Sequence, residues 1–284
     1  MLEMIISPKR SKKKPWELFF VGLIFASVSI LMVHWIFSGD IVLSKYSGIL
    51  VVTFTVMFSI PYIYYSIRLE ESEDLIIEDT MSRLKEHGKA LHAFIWLFIG
   101  FIVAFSFWYI ILGSTDNYKA QIETYCSINS PGNFEGCTSQ YGASKVKTMG
   151  ASIDQSHLFK IFSNNLYVLI FAVIFSLIFG AGGIFILAWN ASVISAAMVI
   201  FAKSNLYTLP ISLVRYMIHG IPEIGAYFAG TLAGGIIGIS IVKKEFKSEK
   251  FWDILHDSLS LIIFGLILLI IAAFIEVYIT PKLF

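Results

Sequence analysis

The residues best suited to chemistry are Arg215, His219 and Glu223, which interrupt an otherwise apolar run from Pro210 to Gly238. A charge near the middle of a bilayer costs at least about 3 kcal/mol, so such a residue faces protein or water and marks a candidate functional site. On a regular helix the three share one face, four residues apart, where opposite charges pair. Gly220 and Pro222 fall between them. Proline removes a backbone donor, so a break or strong kink is expected there, with a new helix starting near Glu223. A break frees backbone groups that a membrane tolerates only when they are buried in protein or line a wet cavity.

Glu276, near the end of the last apolar run, and Asn190 complete the candidate intramembrane cluster. Three kinds of chemistry are open to it. Arg215 with Glu223 or Glu276 makes a buried pair that sets helix packing; the group lines a transport path; or it forms a catalytic or metal site. His219 and Glu223 supply two metal ligands where at least three are needed, and the His-Glu-x-x-His arrangement is absent. No catalytic residue, metal or cofactor is therefore assigned, and a non-enzymatic protein is expected. Asn164, Asn165 and Asn190 read as groups that hydrogen-bond across helices or cap their ends.

The surroundings of these residues are set by composition. With 57% hydrophobic and 14% charged residues among 284, and a mean hydropathy of +0.76, most of the chain has lipid as its solvent. A net charge of +1 gives no support to nucleic-acid binding. Trp16, Trp35, Trp108, Tyr109, Tyr167, Trp189 and Tyr278 stand at the ends of apolar runs, where aromatic rings with a polar handle suit the headgroup region. His34 and His256 also read as interfacial.

In chain order, the basic cluster Pro8 to Pro15 precedes a first span, Trp16–Phe37. That run is long enough to cross, and no small-residue cleavage motif follows it, so it reads as an uncleaved span with its basic end in the cytoplasm. A second span covers about Gly48–Ser66, with Pro61 expected to kink it. Arg68 to Lys89 is too polar to cross. Ile77, Met81, Leu84, Gly88 and Leu91 recur at three- and four-residue spacing, while acidic residues lead and basic residues follow, in accord with a helix dipole. This predicts a cytoplasmic amphipathic helix running into the third span, either a solvated connector or a docking face for a partner.

A third span, Leu91–Leu112, leads to the one long polar segment, 113–165, which contains Cys126 and Cys137. Outside the cell these two can bridge and restrain a loop too polar for a core of its own; free thiols are the alternative. Leu166 to Ala202 carries no charge and is about 55 Å long as one helix, so it must break. Gly180–Gly183 and Trp189–Asn190 are the two candidate points, and the second is preferred, since glycines are tolerated inside membrane helices. Short segments 191–202 and 211–219 would then carry the chain back out together, or the first would cross steeply on its own. From Glu223 to Val242 the glycines 230, 234 and 238 stack on one face, allowing a neighbouring backbone to approach. Lys243, Lys244, Lys247 and Lys250 form a second cytoplasmic basic cluster, and Leu259–Ile279 is the last span. The expected architecture is an all-α polytopic membrane protein of about seven spans, N-terminus inside and C-terminus outside, divided into an extension (1–90) and a five-span core (91–284).

Ile161-Phe-Ser-Asn-Asn165, the glycine-containing span ending in Trp189-Asn190-Ala191, His219-Gly-Ile-Pro-Glu223, and Ala272-Ala-Phe-Ile-Glu276 with Thr280-Pro281 occur in this order. Together they resemble the stage II sporulation protein M family of integral membrane proteins, over about Leu91 to the C-terminus. The resemblance implies a five-span core with a large external loop after its first helix. It also implies a role as membrane anchor for hydrolytic partners in a complex that supports peptidoglycan remodelling during engulfment. The first two spans and the acidic-basic segment are additions to that pattern, and Ala191 stands where the family often has glycine. Two functions follow as expectations. One is a scaffold in contact with the bilayer and with membrane or envelope partners; the other is a channel or secondary transporter using Arg215, His219 and Glu223.

Overall fold

The computed structural model describes residues 7–37, 39–40, 42–74, 80–113, 116–142, 155–202, 205–243 and 249–283. Ile77, Lys244 and Lys247 lie outside these residues, as do the side chains of Met81, Leu84 and Lys250. A short helix α1 (Pro8–Lys13) leads into α2 (Glu17–Phe37), the first of seven helices among the described residues that are long and apolar enough to cross a membrane. The second and third spans lie in α3 (Ser47–Asp74) and α4 (Thr80–Leu112). Two shorter helices, α5 (Lys119–Asn129) and α6 (Phe134–Gly142), stand beyond the spans. The remaining spans are α7 (Gln155–Phe179), α8 (Ile184–Phe201), α9 (Leu209–Val242) and α10 (Glu249–Phe274). The last continues through a π-helical turn, Ile275–Ile279, into α11 (Thr280–Leu283). The all-α, seven-span architecture expected from composition is the one observed.

The breaks fall elsewhere than expected. The uncharged run turns at Gly180–Gly183, not at Trp189–Asn190, which lie inside α8. Gly180 has φ +69°, a left-handed conformation that costs glycine little and other residues much. The Ser176 hydroxyl accepts the Gly183 N–H at 2.8 Å, satisfying a backbone donor that the turn releases. At 18 residues, α8 spans about 27 Å and crosses as a single helix. The expected break at Gly220–Pro222 is likewise absent: α9 runs unbroken for 34 residues with Pro222 inside it. It is the most enclosed of the spans, and neighbouring helices stabilise proline within membrane helices. Pro61 is also contained in a continuous α3.

Segment 68–89 is divided between two helices. Its basic half opens α4 and runs into the third span, as expected, whereas its acidic residues through Asp74 extend α3.

Helix α9 is the axis of the bundle. A Cβ on Gly234 would come within 2.2 Å of the Val173 carbonyl oxygen, and one on Gly238 within 2.4 Å of that of Leu177. Gly230 faces the Leu169 side chain in the same register, so α7 and α9 run parallel with backbones in close contact. On another side α9 packs antiparallel to α10, with Gly225 facing Leu268 and Gly265 facing Ala226. The first span joins the core at a similar crossing, where Gly22 of α2 and Gly100 of α4 each approach the other helix's backbone. Exposed apolar side chains on α7 (Phe171, Ile174, Ile178) and α10 (Ile263, Ile267, Ile270, Phe274) face the bilayer.

The interfacial aromatics divide. Trp16, Trp35 and Tyr167 are well exposed, but Tyr109 is buried and stacks on Tyr118 at 4.3 Å.

Candidate functional site

Because α9 does not break, Arg215, His219 and Glu223 stay on one face, and Tyr227 continues it one turn further. The Tyr227 hydroxyl donates to Glu223 Oε1 at 2.8 Å. His219 Nδ1 lies 3.3 Å from Thr280 Oγ1, which is also 3.2 Å from the Ile275 carbonyl. Glu276 sits in the π-helical turn of the facing helix, close enough to Glu223 for the two carboxylates to interact. Such turns occur often at functional sites. Arg215 stacks its guanidinium over the Phe201 ring of α8, 4.6 Å from the centroid. It is also within electrostatic reach of His219, Tyr216 and Tyr125.

Arg215, His219, Glu223 and Glu276 therefore gather at one end of the bundle, the end that carries α5 and α6. Asn190 does not join them. Its amide donates to the Ile186 carbonyl of its own helix at 2.8 Å. Tyr227, Tyr216 and Phe201 belong to the site although their types drew no notice in the sequence, and Thr280, noticed there only within a motif, joins them; Tyr227 could have been found by extending the four-residue spacing one step. Among the described residues no group of three or more metal-ligating side chains occurs.

Above this cluster stands the α5–α6 hairpin, in which Cys126 and Cys137 are joined by a disulfide. The segment expected to lack a core shares that of the bundle: Tyr118, Ile122, Cys126 and Cys137 are all buried. Tyr118 donates to the Phe105 carbonyl at 2.7 Å. Gln121 donates to the Gly48 carbonyl at 2.9 Å and to Ser192 Oγ at 3.1 Å, and Asn117 bonds His34 at 3.0 Å. These contacts fasten the hairpin to α2, α3, α4 and α8. Tyr125 and Tyr141 meet edge to face between its two helices. Burial, reinforced by Tyr216 and Tyr141, pushes the Tyr125 hydroxyl well above its usual pKa, so it remains a neutral donor.

The opposite end is held by a second polar network. Lys12 of α1 pairs with Glu70 and Glu73 of α3 and lies 3.9 Å from Glu86 of α4. His87 Nδ1 is 3.0 Å from Glu70 Oε2, and Lys243 at the end of α9 pairs with Glu71 at 2.5 Å. Glu70, Glu71 and His87 are almost fully buried. Glu70 and Glu71 are thus packed inside the bundle, where a solvated connector or a docking face had been expected. Burial acts to lower the Lys12 pKa, but Glu70 and Glu73 outweigh it and hold the ammonium above its usual value.

A match to the family described as stage II sporulation protein M covers residues 93–281. This chain belongs to that family. An uncharacterized protein of Methanocaldococcus jannaschii is 36% identical over 130 residues, which is 43% of this chain and 70% of that protein. No solved structure matches. Within the stage II sporulation protein M segment lie the α5–α6 hairpin and all of Arg215, His219, Glu223 and Glu276. Lys12, Glu70, Glu71 and His87 precede it, so the opposite network joins the preceding helices to the family segment through Lys243.

Proposed function

We propose that this stage II sporulation protein M family member is a non-enzymatic, multi-pass scaffold of the cell membrane. In this reading the α5–α6 hairpin is external and presents a docking surface to membrane or envelope proteins. The observation that carries the proposal is the fastening of the hairpin: buried Gln121, Asn117 and Tyr118 fix its base on four spans while Ile128 and Phe134 stay exposed at its far side. A rigid module with exposed apolar side chains binds a partner at low ordering cost. By the positive-inside rule the end bearing α1 and Lys243 is cytoplasmic, and the C-terminus is external with the hairpin.

The test places a photoreactive residue at Ile128 or Phe134 in native membranes, with lipid-facing Phe171 as the control. Protein adducts of defined identity at the first two positions support the scaffold; adducts no different from those at Phe171 overturn it.

A specific observation favours a second reading. Glu223, hydrogen-bonded to Tyr227, and Glu276 are within electrostatic reach of each other, and such carboxylates at membrane depth recur in proton and cation pathways. A transporter of this kind shows pH-dependent flux in proteoliposomes that Glu223→Gln alters at unchanged protein content. Absence of flux for ions and small solutes rules against it.

A further inference from the structure

Between α3, α7 and α9, at the end opposite the hairpin, a groove of ≈380 Å³ opens beside the turn at Gly180. Its volume is within the range of small-molecule sites, about 300–1,000 Å³. One wall is apolar, formed by Ile178, Phe179 and Val242, which are all well exposed and continuous with the lipid-facing surface of α7. The other carries two cations, Arg68 of α3 and Lys243 of α9, with Tyr64 one turn before Arg68. Lys243 is shared with Glu71, but among the described residues no carboxylate pairs with Arg68, which is exposed.

The positions follow from the fold. Gly180 turns the chain back with a left-handed φ and lies against the Tyr64 ring, so the turn leaves the ends of α3 and α9 uncovered. Cations at the end of an apolar wall match an amphiphile with an anionic head and a hydrocarbon tail. Neither half alone accounts for both surfaces: a soluble anion leaves the apolar wall bare, and a neutral lipid leaves Arg68 without a counter-charge. Arginine suits phosphate because its planar fork donates two hydrogen bonds at once.

We propose that this groove binds an anionic phospholipid, with its phosphate between Arg68 and Lys243 and an acyl chain along Ile178, Phe179 and Val242. The bound lipid bridges α3, which precedes the family segment, to α7 and α9 within it.

The test uses the full chain in vesicles of phosphatidylcholine containing a minor fraction of spin-labelled phosphatidylglycerol or spin-labelled phosphatidylcholine with the same chains. The readout is the motionally restricted fraction of each label. Wild type is expected to prefer phosphatidylglycerol, and Arg68→Gln to reduce that preference about fivefold, the effect of one cation near an anionic headgroup. Lys13→Gln removes an exposed charge at the same end but outside the groove, and is expected to leave the preference intact. Equal loss in both variants means general surface attraction and overturns the site, as does equal restriction of the two labels in wild type. Inorganic phosphate that displaces phosphatidylglycerol at matched ionic strength identifies a free-anion site and overturns the lipid assignment. Arg68 makes no ion pair among the described residues, so its substitution leaves no buried carboxylate behind.

Discussion

The hydroxyl of Tyr227 donates to the carboxylate of Glu223 one turn before it on α9, at 2.8 Å, in the first turn after Pro222. Tyr227→Phe removes that donor and leaves a carboxylate oxygen without it in an apolar bundle. The expected cost is about 1–3 kcal/mol, read as a lower midpoint of thermal unfolding in detergent. Glu223→Gln keeps an acceptor for Tyr227 and is expected to unfold close to wild type. If Tyr227→Phe is neutral, the hydrogen bond contributes nothing to the bundle.

The glycine face of α9 gives an ordered test. A methyl at Gly234 meets the Val173 carbonyl oxygen at 2.2 Å, which moves only if the helices separate. At Gly230 the nearest atom, 2.5 Å away, is the end of the flexible Leu169 side chain. Gly234→Ala is expected to destabilise by about 1–3 kcal/mol, and Gly230→Ala by clearly less. Unfolding midpoints measured side by side decide the order, and a reversed order contradicts the close contact of α7 and α9.

Lys12 is enclosed by three carboxylates at the end bearing α1. Lys12→Ala leaves Glu70 without its cation inside the bundle, and breaking a buried pair from one side costs about 3–5 kcal/mol. Arg10→Ala, which breaks a pair with Glu17 from a largely exposed side chain, is expected to be far milder. Since the folded pKa of Lys12 is raised, its contribution is complete below the unfolded value of about 10.4 and declines only as pH rises through the folded one. Unfolding midpoints of the two variants at neutral pH, and of wild type under strongly alkaline conditions, check the size and the sign.

Asp40 supplies the acid-side test. Its carboxylate accepts the N–H groups of Leu43 and Val42, each at 2.8 Å, and these hold its pKa below the usual carboxylate range. A lowered folded pKa stabilises above the unfolded value of about 3.9 and loses the effect as pH falls through the folded one. Amide exchange at Val42 and Leu43, corrected for intrinsic rates, is expected to accelerate between about pH 5 and about pH 2. Asp40→Ala should remove that pH dependence. Unchanged protection at low pH in wild type contradicts the assignment.

The hairpin is held twice, by its disulfide and by polar contacts at its base. Reduction, or paired Cys126→Ser and Cys137→Ser substitution, is expected to cost about 2–3 kcal/mol through the short loop it releases. Helices α5 and α6 should then part at Tyr125 and Tyr141, while Gln121 keeps α5 on the bundle. Protease sensitivity that rises within 130–142 but not within 116–122 checks this. A simultaneous loss of both regions means that the disulfide, and not Gln121, holds α5 down.

The sequence by itself determined that this is an all-α protein of seven spans, because the length of an apolar run against the thickness of hydrocarbon is a local property. Family membership was also legible, since it rests on an ordered set of short motifs from Asn164 to Pro281. The positions of the turns were not. Gly180 and Asn190 differ as turn points only through what surrounds them, and Ser176, Tyr64 and Gly235 pack around the first. Pro222 reads as a helix breaker in isolation, yet inside the most enclosed span the surrounding helices hold α9 continuous, and that continuity aligns Arg215, His219, Glu223 and Tyr227. Tertiary structure alone decided that Glu70 and Glu71 are buried, because their partners Lys12 and Lys243 come from distant parts of the chain. The same holds for Asn190, which was grouped by polarity with Arg215, His219 and Glu223 but whose amide is satisfied by the Ile186 carbonyl of its own helix. Local pattern records how much a residue costs in lipid, whereas the packing of spans decides which groups meet that cost together.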